Sequence, residues 1–305
     1  DAGALVRVER VELDVDGERT EVPGLVGLAR PEVLLVNDDD LTYAKHRLDS
    51  ASLAAGLDGI SDFSDSLARS LVLASAWDMV RDGELAASHY LAAALEALTV
   101  ESHSSVVQGL LARIGTCLAL YLPPAARRTA APGTVEALLA LARCAEPGSD
   151  RQLQLVRAVA AHAVSEEQID AVAGWLDGSA PLPGLAVDAD MRWELLTGLV
   201  ASGRAGEAEI AAEEARDRTT TGRERASIPT AEAKERAWRA LVEDSSMPNE
   251  TQRQALAGFG RVERAPELMV PFIEEYAAAV EGVWSSRTFH MAEALLEGLW
   301  SCATV

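Results

Sequence analysis

The sequence predicts a mainly α-helical chain, HEAT-like or α-solenoid in arrangement, preceded by a few antiparallel β-strands. Three observations carry that expectation. The apolar period is two residues up to about position 48 and between three and four from there on. Roughly a dozen amphipathic segments of helix length then follow, each closed by a Gly, Pro or Ser break. Their connections are short, the pattern of antiparallel helix pairs stacked in sequence, although no repeat length with a shared signature is visible.

The strand expectation begins at residues 5–15, where Val6, Val8, Val11, Leu13 and Val15 mostly alternate, with a bulge between Val8 and Val11. Asp16-Gly17 reads as a two-residue hairpin turn with positive φ at both positions, and residues 18–22 return from it. Pro23-Gly24 and Pro31 punctuate before the short apolar run at 33–36. Residues 37–41 are an acidic turn, in which Asn37, Asp38 and Asp40 bond to the turn's own backbone. Residues 42–48 then put Tyr43, Lys45 and Arg47 on one side and Ala44, His46 and Leu48 on the other. That alternation favours a half-buried strand over the rival helix capped by Asp40. Four or so strands cannot bury both faces of a sheet, so residues 1–48 read as the end of a larger β domain.

Helices are expected from residue 49 to the end. Asp49 or Ser50 caps a short one, and Ser64 or Asp65 opens a longer one with Leu67, Leu71, Ala74 and Trp77 on a common stripe, closed at Asp82-Gly83. Residues 84–98 and 104–121 carry further stripes, the second through Val107, Leu111, Ile114, Leu118 and Tyr121. Pro123-Pro124 stops that helix or starts the next. Further segments fall at 133–145, 150–163 and 165–176, the last with Ser165 and Gln168 in a capping-box pattern. A loop at 178–187 precedes helices at 188–202, 204–218, 230–242, 248–259, 266–284 and 289–300. The last of these lacks a polar closing helix after it, which points to a truncated C-terminus.

Composition narrows the function classes. A chain of 305 residues with 49% apolar residues fills a core, and a formal charge of -21 disfavours nucleic acid and anionic membrane surfaces, which need clustered Lys and Arg. No uninterrupted apolar run reaches membrane-span length and no basic-then-apolar leader is present, so a cytoplasmic, non-membrane protein is expected. Cys117, Cys144 and Cys302 sit in apolar helical contexts and read as buried reduced thiols. Lysine is nearly absent, at Lys45 and Lys234 alone, a bias that reflects genome composition.

The motif search yields absences. His46, His89, His103, His162 and His290 never fall three or four apart as helical metal ligands do, and neither a nucleophile elbow nor a phosphate loop is present. A calcium-loop reading of Asn37 to Asp40 fails because the loop's sixth position, Thr42 counted from Asn37 or Tyr43 counted from Asp38, is not the glycine it needs. Arg216, Arg218, Arg223 and Arg225 flank a polar loop, where Glu213, Glu214 and Glu224 balance them as a solvated face. No catalytic and no metal-ligating residue is assigned.

The stretch VNDDDLTYAKHRLD at 36–49, followed by DSLARSLVLASAWDMVRDGE at 65–84, resembles the C-terminal part of the M1 family of zinc metallopeptidases, in its bacterial aminopeptidase N branch. In that family the strand leaving a β-sandwich carries an Asn and then a Tyr before the helical domain, and Asn37 and Tyr43 stand in the matching places. The resemblance implies a domain boundary, with 1–48 the end of the sandwich and 49–305 a helical superhelical bowl, and makes Asn37, Asp38, Asp40 and Tyr43 structural junction residues. It also implies that the zinc-binding His-Glu-x-x-His and the Gly-Ala-Met-Glu-Asn segment lie N-terminal to this chain, so zinc is the cofactor of the parent enzyme and none is held here. The implied partners are the parent's own N-terminal and catalytic domains and the peptides in its enclosed chamber. The leading expectation is therefore a non-catalytic fragment that caps the chamber and controls peptide access. The alternatives are a stand-alone helical-repeat interaction scaffold and an independent α-helical enzyme.

Overall fold

Asp49 opens the helical part of the chain, because its carboxylate accepts the N–H groups of Ala51 and Ser52, each at 3.1 Å, and the Ser52 hydroxyl at 2.7 Å. Those bonds, with that of Arg30 at 2.5 Å, hold the Asp49 carboxyl at about 2 against an ordinary 3.8. The computed structural model describes residues 3–217, 222–262 and 264–300. Among them are 14 α-helices and no strand. The chain divides into two compact units, Asp1–Leu110 and Leu111–Val305.

The first unit holds α1 (Ser50–Asp58), α2 (Ser66–Arg81) and α3 (Ala87–Val100), which pack on one another. Asp65 caps α2 through the Leu67 N–H at 2.9 Å. The expected α2 stripe is displaced: Leu67 is 40% exposed, whereas Val72, Leu73, Ala76 and Val80 are buried beside Leu71. Tyr90, Leu91, Ala94, Ala97 and Leu98 of α3 complete the core. Glu101, 1% exposed, accepts from Arg69 at 3.0 Å, from Ser66 at 2.7 Å and from the Ser102 and His103 N–H groups at 2.9 Å. Burial pushes that carboxyl up, but the four bonds outweigh it and leave it below its ordinary value.

The strands expected across residues 5–48 do not form. The one ladder contact is a bridge between Leu5 and Phe63, with Leu5 N–H on the Asp62 carbonyl at 2.8 Å. Gly17 turns the chain at φ 68°, but Asp16 does not share the positive φ expected of it, and its N–H bonds the Thr20 hydroxyl at 3.0 Å. A lone hairpin in water is marginal because neither face is covered. Here Val6, Val8 and Val15 are 60%, 80% and 83% exposed, so apolar burial offers nothing to hold a ladder. Residues 43–49 are neither strand nor helix, and Leu48 alone of the alternating set is buried, at 6%.

Helix α4 (Ser104–Thr116) continues into a π-helical turn, Cys117–Tyr121, closed by Leu122 N–H on the Cys117 carbonyl at 3.0 Å. The wider turn rotates the register, so Leu118 and Leu122 are buried while Tyr121 of the expected stripe is 38% exposed. Residues 104–121 also form the one described helical stretch with the length and mean hydropathy, 1.2, of a membrane span. Gln108 and Arg113 interrupt it, and Val107, Leu110, Ile114 and Cys117 are buried in the protein, although only 28% of the stretch is.

In the second unit come α5 (Pro124–Cys144), α6 (Asp150–His162), α7 (Glu166–Asp177), α8 (Ala189–Ala201), α9 (Glu207–Arg216), α10 (Arg223–Ala226), α11 (Ala231–Glu243), α12 (Asn249–Phe259), α13 (Phe272–Ser286) and α14 (Phe289–Leu299). Helix α5 starts nine residues before the expected 133 and runs through Pro132, with Pro124 at its first position. The carbonyl of Pro132 is taken by the Gln168 side chain at 2.8 Å. Caps at Ser149, Ser165, Asp188 and Thr230 stand where the sequence places helix starts, and Ser165 with Gln168 forms the expected capping box. Helices pack on partners one and two places along, α5 on α6, α6 on α8, α10 on α12 and α12 on α14. Glycines permit the second kind of contact: a Cβ on Gly198 would lie 2.3 Å from the Ala160 carbonyl oxygen, and one on Gly258 would lie 2.1 Å from that of Arg223.

Cations close the C-terminal ends of these helices, where the last carbonyls lack backbone partners and carry the negative end of the dipole. Arg261 donates to Ala160 and Ala161 of α6 at 3.2 and 2.7 Å, and Arg192 to Leu176 of α7 at 3.3 Å. Arg287 donates to Leu241 and Val242 of α11 at 2.6 and 3.1 Å. Lys234 is fully buried, and its Nζ donates to Ala226 at 2.7 Å, Gly258 at 3.2 Å, Phe259 at 2.9 Å and Arg261 at 3.3 Å. One ammonium thus ends both α10 and α12.

The cap at Asp49 has a pH signature. Its folded pKa is depressed, so its contribution is present above about 3.8 and is lost as pH falls towards 2. Asp49→Asn keeps an accepting oxygen but no charge. Urea midpoints from pH 6 to pH 2 are expected to show wild type more stable than the variant above about 3.8, the gap closing towards 2.

Candidate functional site

The acidic turn expected at the strand-to-helix junction is a closed local structure. Asn37, Asp39 and Asp40 all adopt left-handed backbone, with φ of 58°, 63° and 53°, which short polar side chains tolerate better than others. The Asn37 side chain spans the turn: its Oδ1 accepts the Thr42 N–H at 2.9 Å, and its Nδ2 donates to the Thr42 carbonyl at 2.9 Å and to Asp40 Oδ1 at 3.1 Å. Asp38 leaves the turn to meet Arg7 Nε at 3.1 Å. Tyr43 stands apart, fully exposed, and shares no contact that would make it part of the same constellation. The structure therefore brings Asn37 and Asp40 together and leaves Tyr43 out.

Sequence reasoning missed the counterions. Arg7 forks onto Asp39 through two bonds of 2.9 and 3.2 Å, and Arg10 reaches the same carboxylate at 2.5 Å. The bond to Asp39 and then the charge of Asp38 hold the Arg7 guanidinium above its ordinary range. A few residues on, Lys45 and Arg47 both grip Asp82, the former at 2.5 Å, and Arg47 also reaches Glu84 at 2.8 Å. Alternating cations in residues 7–10 and 45–47, opposite acidic turns, are the signal in the sequence. These carboxylates are taken by guanidinium, ammonium and amide groups, which is incompatible with a calcium loop. Among the described residues no three His, Cys, Asp or Glu side chains converge as a metal site, so the donor set for a zinc ion does not fit here.

The remaining candidates are structural. Arg225 pairs with Glu214 at 2.5 Å and Glu207 at 3.1 Å, Arg223 with Glu194 at 3.2 Å, and Arg216 with Glu213 at 3.8 Å, while Arg218 lies outside the described residues. Cys117 is buried and its thiol is pushed up to about 11 by desolvation, so it is an inert thiol at neutral pH. Cys144 is exposed rather than buried, because it ends α5 on the side away from Leu138, Leu139 and Ala142; Cys302 lies outside the described residues. A shallow concavity of about 260 Å³ between Trp175 and the loop at 178–187 is lined by Leu182, Leu185 and Val187 with Asp177 at its edge, and holds no nucleophile or base in a pair.

The described residues form an array of helices in which no three His, Cys, Asp or Glu side chains gather as a metal site. Comparison with known families decides the class. The model of the ERAP1-like C-terminal domain matches residues 33–304, and the chain belongs to that family. It is similar to Aminopeptidase N of Streptomyces lividans, 47% identical over 309 residues, a match that covers 100% of this chain and 36% of the relative. The chain thus spans about a third of that relative's length. The similarity seen at residues 36–49 and 65–84 extends along the whole of the chain.

Proposed function

We propose that this chain is the non-catalytic C-terminal part of an M1 zinc aminopeptidase and that it governs which peptides reach the active site of the whole enzyme. The observation that carries the proposal is the 47% identity along the full chain to 36% of an aminopeptidase N. The helix packing supports it: partners one and two places along suit a curved solenoid, whose concave side can close a chamber over a catalytic domain. Residues 1–48 then supply the end of a β-sandwich. Their exposed alternating valines gain ladder partners from the rest of that domain, and Asn37, Asp38 and Asp40 fix the turn before the helical part begins at Asp49. The partners are the enzyme's other domains and peptides in the chamber, in the cytoplasm.

The zinc belongs to residues beyond this chain, where it would polarise the scissile carbonyl and activate water. The residues of this chain bind and exclude. Deleting residues 49–305 from the whole enzyme tests this through substrate length: cleavage of a short aminoacyl-anilide and of a decapeptide are compared before and after. The expected result is a selective change in the decapeptide-to-anilide ratio of kcat/KM. An unchanged ratio, with both activities retained, would remove the access role.

A further inference from the structure

Large apolar side chains are covered throughout residues 122–262 among those described, and then five exposed ones gather at the last helical hairpin. Val270, Ile273, Trp284, Phe289 and Trp300 are between 39% and 63% exposed. Helix α13 explains the concentration. Its Phe272 and Val283 are buried and its Tyr276 and Ala279 pack on the C-terminal core, a stripe at i, i+4, i+7 and i+11. The next stripe round the helix, Ile273, Ala277, Val280 and Trp284, has the same spacing and is apolar as well, yet it faces outward. It is about 16 Å long at 1.5 Å per residue. Trp284 stacks on Phe289 of α14 with centroids 5.6 Å apart and planes 22° apart, which carries the stripe across the hairpin.

The surroundings of this stripe indicate what covers it. Glu274 and Glu281, one heptad apart, border it on the side away from the core. Residues 266–300 carry Glu267, Glu274, Glu275, Glu281, Glu293 and Glu297 against Arg287, whose guanidinium is turned into the α11 carbonyls. We propose that the outer face of α13 docks an amphipathic helix whose apolar stripe is flanked by Lys or Arg. Apolar residues at coiled-coil spacing select a helix, and the Glu border selects cationic flanks. A second copy of this chain, at -21, would set carboxylate against carboxylate along the same seam.

The test uses the chain itself and two fluorescent three-heptad peptides with Leu at the seam positions, one with Arg and one with Glu at the flanking positions. Anisotropy is expected to show saturable binding of the Arg-flanked peptide, weakened by salt, and none of the Glu-flanked peptide. Trp284→Ala and, on the more exposed site, Phe289→Ala are each expected to weaken binding at least about tenfold with the helical circular dichroism unchanged. The double variant Glu274→Gln/Glu281→Gln is expected to lose most of the salt dependence. Equal binding of both peptides, variants that bind like wild type, or a chain that dimerises in sedimentation and is made monomeric by Trp284→Ala would each overturn the proposal.

Discussion

Lys234→Met is expected to destabilise the second unit by about 1–3 kcal/mol, the range for leaving buried acceptors without their donor. The side chain is fully buried, so its stem is replaced almost isosterically and the loss falls on the ammonium. Four carbonyl oxygens, at Ala226, Gly258, Phe259 and Arg261, would then lose their donor in a place water does not reach. Two of them belong to the last turn of α12 and one ends α10, so both helix ends should open before the rest. Amide hydrogen exchange over 223–226 and 249–259 reads this directly, alongside a lower urea midpoint. Lys45→Met is the control: that ammonium pairs with Asp82 from a side chain 53% exposed, and its loss should cost less than about 1 kcal/mol. Equal effects of the two substitutions would show that burial of Lys234 carries no special weight.

Gly258→Ala has the second large expected effect, about 3 kcal/mol of destabilisation, because the added Cβ would stand 2.1 Å from the Arg223 carbonyl oxygen and 3.0 Å from Ala226 Cβ. The obstacle is backbone, which cannot swing aside as a side chain tip would. The sign is what makes the experiment informative. In an open helical position the same change favours the helix by about 0.8–1 kcal/mol. Gly282→Ala in α13, where nothing lies within 4 Å, should show that gain. Thermal unfolding of both variants would separate a close α10–α12 contact from the general cost of a helical glycine. If both raise the midpoint, the close contact is wrong.

Helix starts were legible because their chemistry is local. A carboxylate or hydroxyl at Asp49, Asp65, Ser149, Ser165, Asp188 or Thr230 needs only the next two or three N–H groups, and each of these caps is made. What was not legible depends on partners distant in sequence. The alternation in residues 5–48 is real, but a strand is a property of two chains side by side, and none lies beside it. Proline ordinarily ends a helix, yet Pro132 sits inside α5 with its carbonyl taken by Gln168 from 36 residues away. Gln152 and Gln252, 1% and 2% exposed, likewise carry their amides to the carbonyls of Pro183 and Met291. A buried glutamine in the first turn of α6, α7 and α12 is a shared feature that hydrophobic periodicity overlooks. Lys234 carries no signal of its role in the sequence, since nothing nearby shows that helix ends converge on it.

The candidate site was legible in half. Asn37 and Asp40 bond within their own turn, as short polar side chains in turns do, and the stretch around them carried the family resemblance. Arg7 and Arg10, some thirty residues earlier, are the other half, and charge pairing over that distance leaves only a pattern of alternating signs.

The most direct test of the central claim is turnover by the purified chain itself, with its metal content measured on the same sample. The chain is expected to hold no stoichiometric zinc and to hydrolyse no aminoacyl-anilide, with or without added zinc. One equivalent of bound zinc together with zinc-dependent release of the anilide would contradict it and place the catalytic residues within these 305.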